Sequence, residues 1–424
     1  MDLYTGWKVL IISVVLSIIL TLIYLMILKC CTRALIWTSI IATIAVFAIL
    51  GFIFMRKYKN EVDEDYGFIY RFLMIIFWSI DGLMILVVFC LYKDIKNSLS
   101  VAETTSSFMF SNLQILIVPA FINILSAIFI YHWISTAVRL LSTGKVSQMG
   151  MTPFTSVDLT ESGFRERCLY YIFAFFWIWA ILIAINQFVV AATTIQWYYT
   201  EHSDTKGDIS ICKSFKWAIF YHIGSLAFGS FFLAVISLVQ VIFDFMRRQV
   251  MRVGKRSIMI RCVLCCFACC LRCIGECVLF MSKNAYVQVA IRSASFCCAA
   301  REAFRLMIRN AAKFAIVNGF SSILIFFGKC FIGALTCFLC NLILEVRSDL
   351  KEDLHSPSVL IIACFVIGYT LGRTFLTVYD MSSTTILQCF LMDEEASGGE
   401  GKNRPSSLDS FMEEIRGSFI TMDE

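Results

Sequence analysis

Long uncharged apolar runs, rather than alternating polar and apolar positions, set the pattern of this chain. Residues 9–28 and 34–55 carry no charge, and the polar stretch Lys29-Cys30-Cys31-Thr32-Arg33 between them reads as a tight hairpin turn. Further runs cover 72–92, 113–138, 168–200, 217–243, 314–344 and 358–379. Each approaches or exceeds the roughly 20 apolar residues that a helix needs to cross a bilayer core, so they predict eight clear spans. Residues 10–28 are too long for the apolar region of a signal peptide, lack a clear cleavage site and lead straight into another apolar run. They read as a first membrane helix. Residues 97–118 are polar at Glu103, Thr104, Thr105, Ser106 and Ser107 but hold one charge and stop at Pro119. Such a segment suits a ninth span turned toward the bundle interior, where polar groups are tolerated.

Composition agrees with this pattern. Of 424 residues, 59% are hydrophobic and 16% charged, with 39 Phe and only 4 Pro, against about 45–50% apolar and 25% charged in soluble domains. These values exclude a soluble enzyme and a disordered chain. A net charge of +5, scattered along the chain, gives no footprint for nucleic acid. The expected fold is all-α, a polytopic transmembrane helical bundle of eight to ten spans with nine the best count, and with amphipathic cytoplasmic helices.

Basic residues orient the bundle, because loops rich in Lys and Arg stay on the cytoplasmic side. Thirteen Lys/Arg lie between Arg247 and Lys313, so 247–313 is expected inside, against the anionic inner leaflet. Four parts follow: membrane-spanning helices over 1–246, a basic Cys-rich amphipathic segment over 247–313, C-terminal spans over 314–392 and a cytoplasmic tail over 393–424. The loop 56–71 has four basic and four acidic residues and separates eight from nine spans poorly.

Of 19 Cys, seven crowd one basic stretch at 262, 265, 266, 269, 270, 273 and 277, and no Asn-x-Ser/Thr acceptor occurs. The spacings of three and four, with Arg256, Arg261 and Arg272 interspersed, predict an amphipathic helix lying on the membrane surface. A second helix is expected within 284–312. The C-x-x-C pairs overlap on one helical pattern, so they do not form the two separated pairs of a zinc site. Acylated juxtamembrane thiols or small apolar packing residues are the readings left. No metal and no cofactor are expected, no catalytic residue is identified, and no enzyme is expected.

Ionisable groups at membrane depth are costly and point to function. Asp81, Lys329 and Arg373 are such groups, with a structural ion pair as the plainer explanation. The span 168–200 gathers Asn186, Gln187, Thr193, Thr194 and Gln196 with Trp177, Trp179, Trp197, Tyr198 and Tyr199. The last three suit an interfacial belt. Deeper ring faces with few fixed charges attract a quaternary ammonium, which cannot donate strong hydrogen bonds. The substrate-binding candidates are Trp177, Trp179, Tyr171, Asn186, Gln187 and Tyr221. Packing or lipid contact is the ordinary role of any one of them.

Residues 221–234, YHIGSLAFGSFFLA, and the run from Asn284-Ala285-Tyr286 through Phe296-Cys297 resemble signatures of the choline transporter-like family. Asn310, Gly328-Lys329, Tyr379-Asp380-Met381 and Cys389-Phe390-Leu391 are similar too. The match is dense over 170–395 and thinner over 1–169. The resemblance implies an all-helical transporter for choline and ethanolamine-type solutes at the plasma membrane, typically independent of sodium, with proton exchange as one proposed coupling. Family members carry an additional first helix and a large glycosylated extracellular domain. This sequence has neither, which favours an outside start and nine crossings. It departs from the family at Cys298 (Ser), Ala180 (acidic or polar in many animal members), Arg373 (His) and Asp380 (Glu). The expected function is transmembrane transport of choline or a related small organic cation. A transporter or channel for another solute, and a non-transporting membrane scaffold, stay open beside it.

Overall fold

The computed structural model describes residues 6–60, 64–90, 92–142, 145–148, 155–158, 163–200, 209–252, 258–346, 357–398, 405 and 408. The cytoplasmic tail expected from 393 lies mostly outside these residues. Among these residues, eleven α-helices follow one another: α1 Trp7–Asn60, α2 Glu64–Cys90, α3 Tyr92–Ser111, α4 Ile117–Ser142, α5 Phe164–Thr200, α6 Ile211–Lys216, α7 Ile223–Arg252, α8 Ile258–Arg292, α9 Phe296–Arg309, α10 Ala311–Val346 and α11 Pro357–Ala396. A short antiparallel hairpin, β1 Lys145–Gln148 and β2 Thr155–Asp158, pairs Val146 with Val157 between α4 and α5. The all-helical bundle expected from the apolar runs is the fold observed. Among the described residues, eight helices are long and apolar enough to cross a membrane: α1, α2, α4, α5, α7, α8, α10 and α11.

That set of eight differs from the expected one in two places. The polar stretch 29–33 does not form a separate loop. Runs 9–28 and 34–55 are two helices that meet at a kink at Cys31, where the backbone leaves helical geometry (φ −134°, ψ 31°), and they are numbered together as α1. The second difference is α8. Its Cys-rich sequence, expected as an amphipathic helix of its own, runs on through Asn284 to Arg292 without a break. It makes 35 residues of continuous helix, about 52 Å at 1.5 Å per residue. It also runs antiparallel to α7, meeting it from Ser230 to Phe243. The rings of Phe243 and Phe267 lie 4.8 Å apart, Gln240 Nε2 donates to Leu271 O at 2.9 Å, and at the other end Ser230 Oγ meets Tyr286 Oη at 3.4 Å.

The second helix expected within 284–312 is divided. Ser293 takes a left-handed backbone (φ 52°) and its N–H bonds Val289 O, which closes α8. Helix α9 then starts at Phe296. This is the amphipathic helix of the region. Phe296, Ala299, Ala303, Leu306 and Met307 are buried, while Arg301, Arg305 and Arg309 are exposed. Glu302 holds Arg305 at 2.9 Å and Arg292 at 3.8 Å.

By packing, the chain forms two compact units. Unit 1 comprises residues 1–113, 197–207 and 310–424, and unit 2 comprises 114–196 and 208–309. In unit 1, α10 and α11 lie side by side. A methyl group at Gly368 would come within 2.8 Å of Thr336 Oγ1 and 3.0 Å of Gly333 Cα, so the backbones approach as small residues permit. Helix α1 joins them through Ser17 and Thr336, whose hydroxyls are 3.2 Å apart, and through Tyr24 Oη, which donates to Leu324 O at 2.9 Å. The polar segment expected as a span over 97–118 is in two parts. Helix α3 ends at Ser111, and a 3₁₀ turn, Leu113–Leu116, leads into α4. Its Thr104, Thr105 and Ser106 are buried. Helix α3 is not among the eight apolar helices.

Candidate functional site

Helix α5 carries the aromatic residues of unit 2 on two different faces. Tyr171, Phe175 and Trp179 recur every four residues and so line one face. Against them, α4 supplies Trp133, 5.2 Å from the Tyr171 ring and 4.5 Å from that of Phe175, and Phe129, 5.7 Å from Phe175. Tyr171 Oη donates to Trp133 O. Trp179 stacks on Phe175 at 6.0 Å. Phe173 and Trp177 lie on the other face, about 200° from Tyr171 and Trp179 because two residues advance a helix by that angle. Trp177 Nε1 donates to Ala227 O of α7 at 2.9 Å, and the rings of Trp177 and Phe231 are 5.9 Å apart.

The six binding candidates therefore do not converge on one cage. Tyr171 and Trp179 share the α4 side, and Trp177 faces α7. Asn186 and Gln187 lie farther along α5, both half-buried, and Asn186 Oδ1 is buried without a hydrogen-bond partner. Tyr221 is 68% exposed and ends a π-helical turn, Trp217–Tyr221. Such turns recur at functional sites. Beyond Gln187, a polar cluster ties α5 to α6. Thr193 Oγ1 and Ser214 Oγ are 2.9 Å apart, Gln196 Nε2 donates to Ser214 Oγ at 2.8 Å, and Ser210 N donates to Gln196 Oε1 at 3.2 Å.

The motif residues Asn284, Ala285 and Tyr286 are buried together near the end of α8. Tyr286 packs on Phe296, their rings 5.7 Å apart, and both close over Gly229 of α7. A methyl group there would lie 2.4 Å from Phe296 Cε2 and 2.7 Å from Tyr286 Oη. Two segments separated by some fifty residues thus meet as one packed junction, and Ala227, the α7 partner of Trp177, lies two residues before Gly229. Cys297 is exposed and takes no part in that junction.

Unit 1 holds the three charges expected at depth. No ion pair joins Asp81 to Lys329 or Arg373 among the described residues, so the plainer explanation for these charges is not the one observed. Lys329 Nζ stands 5.5 Å from the Phe326 ring centroid and 5.1 Å from that of Tyr369. Arg373 is exposed one turn beyond Tyr369. Asp81 Oδ1 is buried on α2 without a hydrogen-bond partner.

Sequence reasoning passed over a polar seam in unit 1. Ser382, Ser383, Thr384, Thr385 and Gln388 of α11 are all 2% exposed or less. Ser321 Oγ donates to Ser383 Oγ at 3.2 Å, Thr384 Oγ1 to Asn318 Oδ1 at 3.3 Å, and Tyr379 Oη to Ala102 O of α3 at 3.2 Å. The run Ser-Ser-Thr-Thr inside an apolar helix was the available signal.

The family model described as plasma-membrane choline transporter matches residues 75–395. The chain belongs to the choline transporter family. It is 26% identical over 415 residues to choline transporter-like protein 2 of Dictyostelium discoideum, covering 94% of this chain and 64% of that protein. Human choline transporter-like protein 2 is 25% identical over 472 residues, covering 98% and 66%, and choline transporter-like protein 4 of Xenopus laevis is 25% identical over 463 residues, covering 94% and 64%. The chain thus spans a little under two thirds of the length of these relatives. As a choline transporter family member with eight membrane-length apolar helices among its described residues, it is a multi-pass membrane protein. The family match takes in both segments of the α7–α8–α9 junction and the α11 seam.

Proposed function

We propose that the protein moves choline, or a related small organic cation of the ethanolamine type, across the plasma membrane without altering it chemically. The observation that carries this reading is the placement of Trp177. Its N–H is fixed to Ala227 O, beside the junction built from the two family signatures, so the indole plane is held rather than free to turn. A fixed ring face attracts a cation that offers no hydrogen-bond donors, at about 0.5–2 kcal/mol per contact. Several such contacts have to converge for useful affinity. Phe173 and Phe231 supply neighbouring rings within 5.9 Å of Trp177, and Gln187 and the unpartnered Asn186 oxygen supply neutral polarity along the same helix. The chain already holds an ammonium in this manner, that of Lys329 between Phe326 and Tyr369.

The test is saturable uptake of labelled choline in cells or liposomes, competed by hemicholinium-type cations. Trp177→Ala and Gln187→Ala are expected to lower uptake severalfold at unchanged surface level. Uptake unchanged in both variants rejects this site. Competed uptake of a different cation assigns the chain to another solute, and an inert, well-folded protein assigns it to a scaffold role.

A further inference from the structure

The seven Cys of α8 are all exposed, and the unbroken helix that carries them sets them in one stripe. At 100° per residue, Cys262, Cys265, Cys266, Cys269, Cys270, Cys273 and Cys277 fall within an arc of about 140°. The side of α8 packed against α7 is a different one, carrying Leu271 and Gly275. From Cys262 to Cys277 the stripe is about 22 Å long, more than the roughly 15 Å depth of one leaflet's hydrocarbon.

Elsewhere the exposed faces of the apolar helices carry bulky side chains. On α1 these include Ile11, Val15, Ile18, Ile19 and Leu22. On α8 the thiols leave a shallow trough instead, bordered on one side by the exposed Val263, Phe267 and Ile274, with the exposed Arg272 along its other side and the exposed Glu276 within it near Cys277, before Phe280 at its far end. The near end of the trough adjoins six Lys/Arg within 247–261, the charge pattern of a cytoplasmic membrane face. Cys262, Cys265 and Cys266 therefore stand where a soluble acyl donor meets the bilayer, and the remaining thiols line a path for an apolar chain toward its interior.

We propose that one or more of Cys262, Cys265 and Cys266 carries a long-chain fatty acyl group in thioester linkage, with the chain laid along the thiol trough. The donor is a long-chain acyl-coenzyme A. The thiolate Sγ attacks the thioester carbonyl, the new S–C bond forms, the bond to coenzyme A breaks, and coenzyme A leaves as its thiol with the displaced proton. No electrons change hands, and hydrolysis reverses the modification. The proposal is independent of the solute transported.

The experiment labels cells expressing the full chain with an alkynyl fatty acid and reads hydroxylamine-sensitive label on the purified protein. The expected result is label on the native chain, at least a tenfold loss in Cys262→Ala/Cys265→Ala/Cys266→Ala, and retention in Cys270→Ala/Cys273→Ala/Cys277→Ala. Peptide mass spectrometry of the native chain locates the adduct without recourse to any variant. Absence of sensitive label from the native chain, an adduct mapped outside 262–266, or label unchanged in the first triple variant each overturns the proposal.

Discussion

Gly229 is the residue on which the α7–α8–α9 junction turns. Both Phe296 and Tyr286 approach closer to it than any side chain would allow, so Gly229→Ala has to push two rings out of a packed core. Overpacking of this kind costs about 1–3 kcal/mol, and a lower thermal midpoint in detergent is the expected outcome. Gly229→Ala/Phe296→Leu should recover part of it, because the smaller side chain vacates the contested space. The exposed pair Arg33–Glu103 is of another order. Arg33 Nη2 and Glu103 Oε2 are 3.0 Å apart, with the Arg33 side chain 62% exposed, and such pairs contribute about 0–1 kcal/mol. Arg33→Ala should shift the same midpoint much less than Gly229→Ala does. Residue identity was legible in sequence where one residue type suffices for the argument, as for Lys329 at depth. Which helix a ring faces was not legible. Trp177 and Trp179 sit two positions apart and meet different neighbours, a fact of tertiary packing that no local pattern encodes.

Among the elements, apolar helices could be read from sequence because hydropathy is a local sum. Two readings turn on one ambiguity, that a polar interruption has more than one structural meaning. The charged stretch at 29–33 has the composition of a turn, yet helices run into it from both sides and meet at a kink at Cys31. Arg261 and Arg272 give α8 the charge pattern of a surface helix, while its 35 residues give it the length of a crossing. Close approach within the α10–α11 pair is a property of the pair, and it yields a prediction at this scale. Gly368→Leu would drive a branched side chain into Thr336 and the α10 backbone. Loss of monodisperse protein on gel filtration is expected, whereas Val366→Leu, on an exposed position of the same helix, should elute normally.

For the whole molecule, the testable feature is where α8 begins and ends relative to the bilayer. The positive charge of 247–313 argues for one side throughout, while a 35-residue helix paired along α7 argues for two ends on opposite sides. The chain has no glycosylation acceptor of its own, so an introduced one gives an unambiguous readout. Acceptors placed in tagged loops after 254 and after 294 are expected to differ, with only one of them glycosylated in cells. Equal behaviour at both sites would return α8 to the membrane surface.

The division into two units has a consequence for how the protein is made. Unit 2 is drawn almost entirely from one stretch of chain, 114–309, and its helices can pair as they leave the ribosome. Unit 1 joins residues 1–113 to residues after 309, and its contacts are correspondingly remote: Ser17 meets Thr336 across 319 positions and Tyr379 meets Ala102 across 277. At about 5–20 residues per second, the buried hydroxyls of α3 wait on the order of 15–60 s for α10 and α11 to be synthesised. During that interval α3 has α1 to pack against, through Arg33–Glu103 and Thr32–Ser106, but not α10 and α11, and it is then that the nascent chain is most exposed to capture by quality control.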